Sequence, residues 1–470
     1  MSTAGISFGG LASGLDTKAI IQALVAIEER PIRQLETKKA GYTKQKSLFG
    51  DLKGLLDKLS TAAKALKTNT DFLQRKAASD QEEIATATAS STATPGTYNL
   101  RVLSLAKAQV NATTGSASPT TSLGSPASLQ IDVGGTTHLI SVGQVVNGVV
   151  EPPNLERIAA AINAEDDATD MGVRAEVVDT GNTANGGANR YQLVVRATKT
   201  GAEGAFSVSF DDGDPAFQNV INNLSGNVLT QGSNAQVQVN GGVTIYRPSN
   251  TISDIIPGVT LELKSDGSPT QNVAITVSND ATATTKKVQE FVDAYNKVVD
   301  FFTDQNKLNA EGKASGPLFG DSTLRSMRSS LRTVVGGTVA GTGNPSYQML
   351  SQLGITADTT GKLTLASAKL EEALSADDDA VAAVFAQATG GVANRMIEQL
   401  DVYTDAVDGL IKSRTDTFDR QVKDTSTRIT NAERRLELYE KQLQQKYANL
   451  ETLLGRLQSQ GSSVGNIARM

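Results

Sequence analysis

"VKDTSTRITNAERRLELYEKQLQQKYANLETLLGRLQSQGSSV", residues 422–464, carries an apolar residue every seven positions without a break: Val422, Ile429, Leu436, Leu443, Leu450, Leu457 and Val464. A second row, offset from the first, reads Ile411, Phe418, Thr425, Ala432, Tyr439, Lys446, Leu453 and Gln460. Such rows put one greasy stripe along an α-helix, and the stripe is buried only when another helix covers it. Charges of both signs fill the positions between. Lys446 and Gln460 weaken the second row locally and set its register.

The opposite end of the chain repeats the pattern. Leu35, Tyr42, Phe49, Leu56 and Ala63 are spaced by seven, and Leu52, Leu59 and Leu66 follow three residues after members of that row. Before them, "GLASGLDTKAIIQALVAIEERPIRQL" (10–35) reads as a helix, with Asp16 or Thr17 able to cap it and a capping-box spacing from Ser13 to Asp16. Pro31 lacks an N–H and clashes with the preceding turn, so the helix is expected to kink or restart there. The rows admit two readings, an intramolecular helix hairpin or a seam for self-assembly. The residues expected to form a partner or oligomer seam are Leu35, Tyr42, Phe49, Leu52, Leu56, Leu59, Phe418, Val422, Ile429, Leu436, Tyr439, Leu443, Leu450, Leu453 and Leu457.

Between these ends the period falls to two. "GTYNLRVLSLA", "SLQIDVGG", "YQLVVRAT", "AFSVSF", "AQVQVN" and "GVTLELK" alternate as strands, parted by Gly, Asn, Asp and Pro. One helix, "NLERIAAAINA", interrupts them. After about residue 280 helices return. "TTKKVQEFVDAYNKVVDFF" places Val288, Phe291, Val292, Tyr295, Val298, Val299 and Phe302 on a face too broad for a coiled-coil seam, which predicts a bundle core. "STLRSMRSSLRTVV" adds an amphipathic helix, "LGITADTTGKLTL" two short strands around a turn, and "SAKLEEALSADDDAVAAVF" two helices joined at Ser375.

The fold class is therefore α+β and multidomain: a helical, coiled-coil leg formed by both chain ends, with β-rich head domains inserted between them. The expected domains are leg helices over 1–79, a discontinuous β domain over 80–107 and 231–279, an inserted β domain with one helix over 108–230, a helical bundle with a small hairpin over 280–410, and a coiled-coil helix over 411–470. Neither stripe is stable alone in water, so the two ends are expected to meet.

Composition narrows the function. The formal net charge of -6 argues against a nucleic-acid footprint. No run of about 18 apolar residues is present, so no membrane-spanning helix is expected. No basic cluster precedes the first helix, so no cleaved secretory signal is expected. The absence of Cys excludes a disulfide scaffold, thiolate metal sites and cysteine nucleophiles. It fits a cytosolic protein, and equally an exported chain that travels unfolded. The single histidine, His138 in "TTHLISV", cannot form a two-histidine metal site and is expected at a solvent-facing or turn-edge position. "GSSVG" (461–465) matches a nucleophile-elbow pattern at Ser463, but the mechanism needs a strand before it and a helix after it. "DDGDP" and "ADDDA" lack the spacing of a calcium loop and read as a turn and as acidic residues at a helix start. "GGTVAGTGN" lacks the Lys-Ser or Lys-Thr of a phosphate loop. No enzyme and no cofactor is expected.

The order of several motifs resembles one family. "GLASGLDT", "EERPIRQL" and "ATPGTYNLRVLSLAKAQ" are similar to the N-terminal region of the flagellar hook-associated protein 2 family, the caps at the distal end of the bacterial flagellar filament. "AQVQVNGGVTIYRPSNTISDIIPGVTLELK", "LFGDSTLRSMRSSLRTVV", "LGITADTTGKLTLASAKLEEAL" and the closing heptads resemble its C-terminal region in the same order, with Ala366 standing where an acidic cap is expected. The resemblance implies an extracellular protein at the flagellar tip, exported through the flagellar channel without a cleaved signal. It implies a ring of about five or six copies that holds exported flagellin while each subunit folds and inserts. The implied partners are the chain itself, flagellin, the hook–filament junction proteins, and a cytoplasmic export chaperone on the C-terminal helix. The competing readings are a surface adhesin, whose partner would be a host glycan or mucin, and a hook–filament junction protein. Nucleic acid and membrane are not expected as partners.

Overall fold

The computed structural model describes residues 16–146, 149–267 and 271–467. Its helices, in chain order, are α1 (Thr17–Glu28), α2 (Arg30–Lys64), α3 (Asn69–Phe72), α4 (Leu155–Thr169), α5 (Pro215–Gly226), α6 (Ala281–Gln305), α7 (Ser322–Gly336), α8 (Ser367–Ala376), α9 (Asp378–Ala386), α10 (Val392–Thr404) and α11 (Leu410–Ile467). The chain divides into two compact units, residues 1–72 with 281–470, and residues 73–280.

The first unit joins the two chain ends around α2. Asp16 starts α1 by accepting a hydrogen bond from the Ala19 N–H (2.9 Å), while Ser13 lies outside the described residues. Pro31 falls in the first turn of α2, where its missing N–H costs nothing. The break between α1 and α2 is held by Glu29, which accepts from Arg33 at 2.7 Å and raises the guanidinium pKa. Along α2, Phe49, Leu52, Leu56, Leu59 and Ala63 are all fully buried, because α6, α10 and α11 pack around that helix. The broad face of α6, from Val288 to Phe302, is buried in the same core. Burial pushes the Tyr295 phenol up to about 12.

Side-chain clamps fix the smaller elements. Phe72 of α3 stacks on Phe385 of α9 with ring centroids 4.9 Å apart. Asn394 of α10 donates to the carbonyls of Lys67, Ala386 and Gln387. The hairpin of Ile355–Ala357 and Leu363–Leu365 is held on α6 by Asn296, which both donates to and accepts from the Leu363 backbone at 2.8 Å. Helix α8 begins at Ala366 with no side-chain cap. The joint between α8 and α9 lies at Asp377 rather than Ser375, because Asp377 supplies the cap of α9 by accepting from the Ala380 N–H at 3.0 Å.

The Asp377 carboxylate also accepts from Asn344 at 2.9 Å, and these bonds lower its pKa, the Asn344 bond most. A lowered folded-state pKa stabilises the fold above the ordinary aspartate range, and that contribution is lost as pH falls through the folded value. Asp377→Ala is therefore expected to cost about 1 kcal/mol at neutral pH. Urea denaturation at several pH values checks this: variant and parent should converge in strong acid.

The second unit holds two separate apolar clusters. Around the first, an antiparallel sheet runs in the order Arg75–Ser79, Val273–Asn279, Gly96–Ser104, Ala235–Val239, Ile245–Arg247. It shares its core with a sheet of Thr251–Ile256, Val259–Leu263 and Ala85–Ala89. The turn between Thr251–Ile256 and Val259–Leu263 is Pro257–Gly258. Gly258 has φ +74°, and a Cβ there would meet the Ala93 N at 2.7 Å, so only glycine fits. Arg75–Ser79 pairs with Val273–Asn279, so the end of the expected leg segment 1–79 belongs to this sheet instead.

The second cluster lies between a sheet of Val228–Thr230, Val110–Ala112, Tyr191–Ala197 and Val173–Asp179, a sheet of Phe206–Phe210, Ala127–Val133 and Thr136–Val142, and helices α4 and α5. Gly134 and Gly135, both with positive φ, make the two-residue turn that sets Val133 opposite Thr136. Among the described residues this region carries two α-helices, not one. Helix α5 buries Phe217, Ile221 and Leu224 and starts with proline in its first turn after Asp214. Its Asn, Gly and Ser content hides it from a propensity reading.

Candidate partner interface

The interface is built from the two terminal segments. Helices α2 and α11 run antiparallel, and three contacts fix their register. Phe49 meets Phe418 with centroids 5.8 Å apart, Lys46 Nζ lies 2.6 Å from Asp419 Oδ1, and Ile429 lines a groove with Ala40 and Thr43. The Arg414 guanidinium covers both rings, 5.7 Å from Phe49 and 5.3 Å from Phe418. Its Nη2 reaches Asp321 Oδ2 at 2.5 Å, and Asp321 in turn caps α7 through the Thr323 and Leu324 N–H groups. One cation thus ties α11, α2 and α7 together. A basic residue four positions before Phe418 was visible in the sequence, but its acid partner, 93 residues away, was not.

Burial divides the expected seam into three parts. Phe49, Leu52, Leu56, Leu59 and Phe418 belong to the core of the first unit; the chain's own helices already cover them. As a surface for a second molecule, these five are corrected. Leu35, Tyr42, Val422, Leu436 and Tyr439 are half-buried, and Ile429 and Leu443 are buried. Leu450, Leu453 and Leu457 remain 45%, 58% and 53% exposed, although they continue the rows that Ile429, Leu443 and Phe418 occupy. Followed along both helices, the register sets Leu443 level with α1, which packs on α11. The side chain of Val464 lies outside the described residues.

A shallow groove of about 660 Å³ accompanies the closed part of the seam. Small side chains, Ala40, Thr43 and Ser47, form its α2 side, Ile429 its α11 side, and Glu36, Lys39, Lys44 and Glu433 its rim.

The motifs that suggested chemistry have structural partners. His138 lies within the strand Thr136–Val142, only 14% exposed in its side chain, with Nδ1 3.0 Å from Glu165 Oε1 on α4. It is therefore neither solvent-facing nor at a turn edge. Asp212 and Asp214 accept from the backbone N–H groups of Ser128 and Ser125 at 2.5 Å, clamping one end of the strand Ala127–Val133. Residues 461–465 lie within helix α11, so no strand precedes Ser463 as a nucleophile elbow requires. Among the described residues no helix is long and apolar enough to cross a membrane.

An antiparallel helical leg formed by both terminal segments, together with a β-rich unit, is the architecture of a structural protein. Comparison with known proteins gives the family. Profiles of the flagellar hook-associated protein 2 N-terminus and C-terminus match residues 13–109 and 232–459. The B-type flagellar hook-associated protein 2 of Pseudomonas aeruginosa is 29% identical, over 97% of this chain and 95% of its own length. The flagellar hook-associated protein 2 of Escherichia coli is also 29% identical, over 98% and 97%. The crystal structure of the D1-D2-D3 domains of the flagellar cap protein FliD from Escherichia coli superposes with a TM-score of 0.60 and 31% identity, over 79% of this chain and 99% of that one. The chain belongs to the flagellar hook-associated protein 2 family, the structural cap proteins at the distal end of the bacterial flagellar filament.

Proposed function

We propose that this cap protein receives exported flagellin on the uncovered part of its terminal seam, and holds each subunit at the filament tip while it folds and inserts. One observation carries the reading: the apolar rows on α11 are buried or half-buried from Ile411 to Leu443 and exposed at Leu450, Leu453 and Leu457. An apolar row at heptad spacing is completed by a helix, so the exposed segment takes a helical partner. Several copies, about five or six, act together as a ring. Before export a cytoplasmic chaperone covers the C-terminal helix, whose exposed leucines would otherwise associate non-specifically. The chain leaves without cleavage of a leader, and in place it sits above the hook–filament junction proteins.

Deleting the gene tests the reading. The expected outcome is cells without filaments that release soluble flagellin into the medium, restored by the full-length gene. Normal filaments with reduced attachment to glycan-coated surfaces would favour an adhesin. Loss of the hook–filament joint, with caps still present on detached filaments, would favour a junction protein.

A further inference from the structure

A cleft of about 380 Å³ opens in the second unit, lined by residues of two outermost strands, Phe206–Phe210 and Val228–Thr230. Two amide side chains of the segment 109–111 line its depth. Gln109 and Asn111 are only 3% and 2% exposed. Gln109 Nε2 donates to Phe206 O at 2.6 Å and to Asn111 Oδ1 at 3.0 Å, and its Oε1 accepts from the Phe206 N–H at 3.3 Å. Asn111 Nδ2 donates to Leu224 O at 2.9 Å. These bonds use both N–H groups of the Gln109 amide and one of Asn111, while each side-chain oxygen keeps a lone pair. The rest of the lining adds acceptors. Asp132 takes one hydroxyl on each oxygen, from Thr137 and from Ser207, and forms no ion pair among the described residues. Ser225 lies in the last turn of α5, the negative end of that helix's dipole. No lysine or arginine among the described residues lines the cleft. The cleft is thus held in shape by its own hydrogen bonds, rich in acceptors, and carries one carboxylate without a cation.

We infer that this cleft binds an alkylammonium group, either the end of a lysine side chain from another polypeptide or a free amine of the same shape. An ammonium brings three donors and no acceptor, which suits the oxygens of Gln109, Asn111 and Asp132. Its charge is matched by the carboxylate and favoured by the end of α5. A guanidinium fits less well: its fork wants both oxygens of a carboxylate, and here each already holds a hydroxyl. A phosphate or carboxylate ligand would meet Asp132 and the helix dipole with like sign. A neutral sugar would leave the Asp132 charge unpaired. Ala205 and Val228 in the lining offer apolar surface for the methylene stem of the amine. All these residues belong to the second unit, so the site does not depend on the reading of the seam on α11.

The test uses the full chain and small probes followed by saturation-transfer NMR: Nα-acetyl-lysine methylamide, the same compound acetylated on its side-chain amine, cadaverine, and glucose. The lysine derivative or cadaverine should give a saturable signal, weakened as salt is raised from about 50 to 500 mM. The acetylated form and glucose should bind at least about tenfold more weakly. Asp132→Asn keeps the shape and an acceptor but removes the charge, and should lower amine affinity at least about tenfold. Val228→Lys should do the same by placing a tethered ammonium at the cleft. Val228 is 40% exposed, so this second variant keeps the core intact and carries the test alone if Asp132→Asn melts differently from the parent. A signal from the lysine derivative supports a lysine of another polypeptide, and one from cadaverine alone supports a free amine. Binding of neither amine, equal binding of the acetylated form, a signal from glucose alone, or amine binding unchanged by Val228→Lys would each overturn the inference.

Discussion

Phe49→Ala is expected to lower the stability of the helical unit by about 3–5 kcal/mol, the cost of emptying a fully buried aromatic site. The ring has no exposed surface and sits at the crossing of α2 and α11. Its loss removes the contact with Phe418 and one of the two rings beneath Arg414. Arg414 stays anchored to Asp321, so it cannot swing in to fill the space, and a cavity remains. Phe49→Leu keeps most of the volume and should cost less than about 1.5 kcal/mol. Denaturation followed by circular dichroism measures both, with the two units treated as separate transitions. A loss below 1 kcal/mol for the alanine variant would mean that the crossing collapses freely and is not a fixed part of the core.

Replacing Leu453 and Leu457 together by aspartate is expected to do the reverse: no change in stability beyond about 0.5 kcal/mol, and loss of filaments. Both side chains are more than half exposed in the isolated chain, so folding does not depend on covering them. A docked helix would bury them, and each buried leucine stabilises by roughly 1.5–3 kcal/mol. Losing two weakens the complex by on the order of a hundredfold or more. The readouts are the fraction of cells with filaments and the flagellin recovered from the medium. Normal filaments on cells carrying this variant would show that the exposed stripe takes no part in retention.

These two variants also show which features the sequence discloses. Phe49 and Leu453 both stand in apolar rows at seven-residue spacing, yet one is core and the other surface. A seven-residue period identifies the face of a helix to be covered, not the element that covers it. The cover for Phe49, Leu52, Leu56 and Leu59 comes from α6, α10 and α11, hundreds of residues away in the chain, and only the broad face of Val288 to Phe302 hinted at so large a bundle. The strands were readable because alternation reports local pleating, and Pro257–Gly258 and Gly134–Gly135 mark turns whose backbone demands those residues. Helix α5 was hidden because its three buried residues sit among poor helix formers, and packing onto the strand Phe206–Phe210 and its neighbours overrides propensity. The Arg414–Asp321 pair, His138 beside Glu165, and the use of Asp212 and Asp214 as strand clamps all join residues distant in sequence, and no local pattern announces them.

Helix α11 is a single helix of 58 residues, about 87 Å from end to end at 1.5 Å per residue. Its rows are buried at Ile411, Phe418, Ile429 and Leu443, half-buried at Val422 and Leu436, and exposed at Leu450, Leu453 and Leu457. Tension applied at the carboxyl terminus would therefore peel it away turn by turn, each step opposed by only a few side chains, before the aromatic crossing is loaded. A chain tapered in this way is easily drawn out from its tail and resists once its centre has locked.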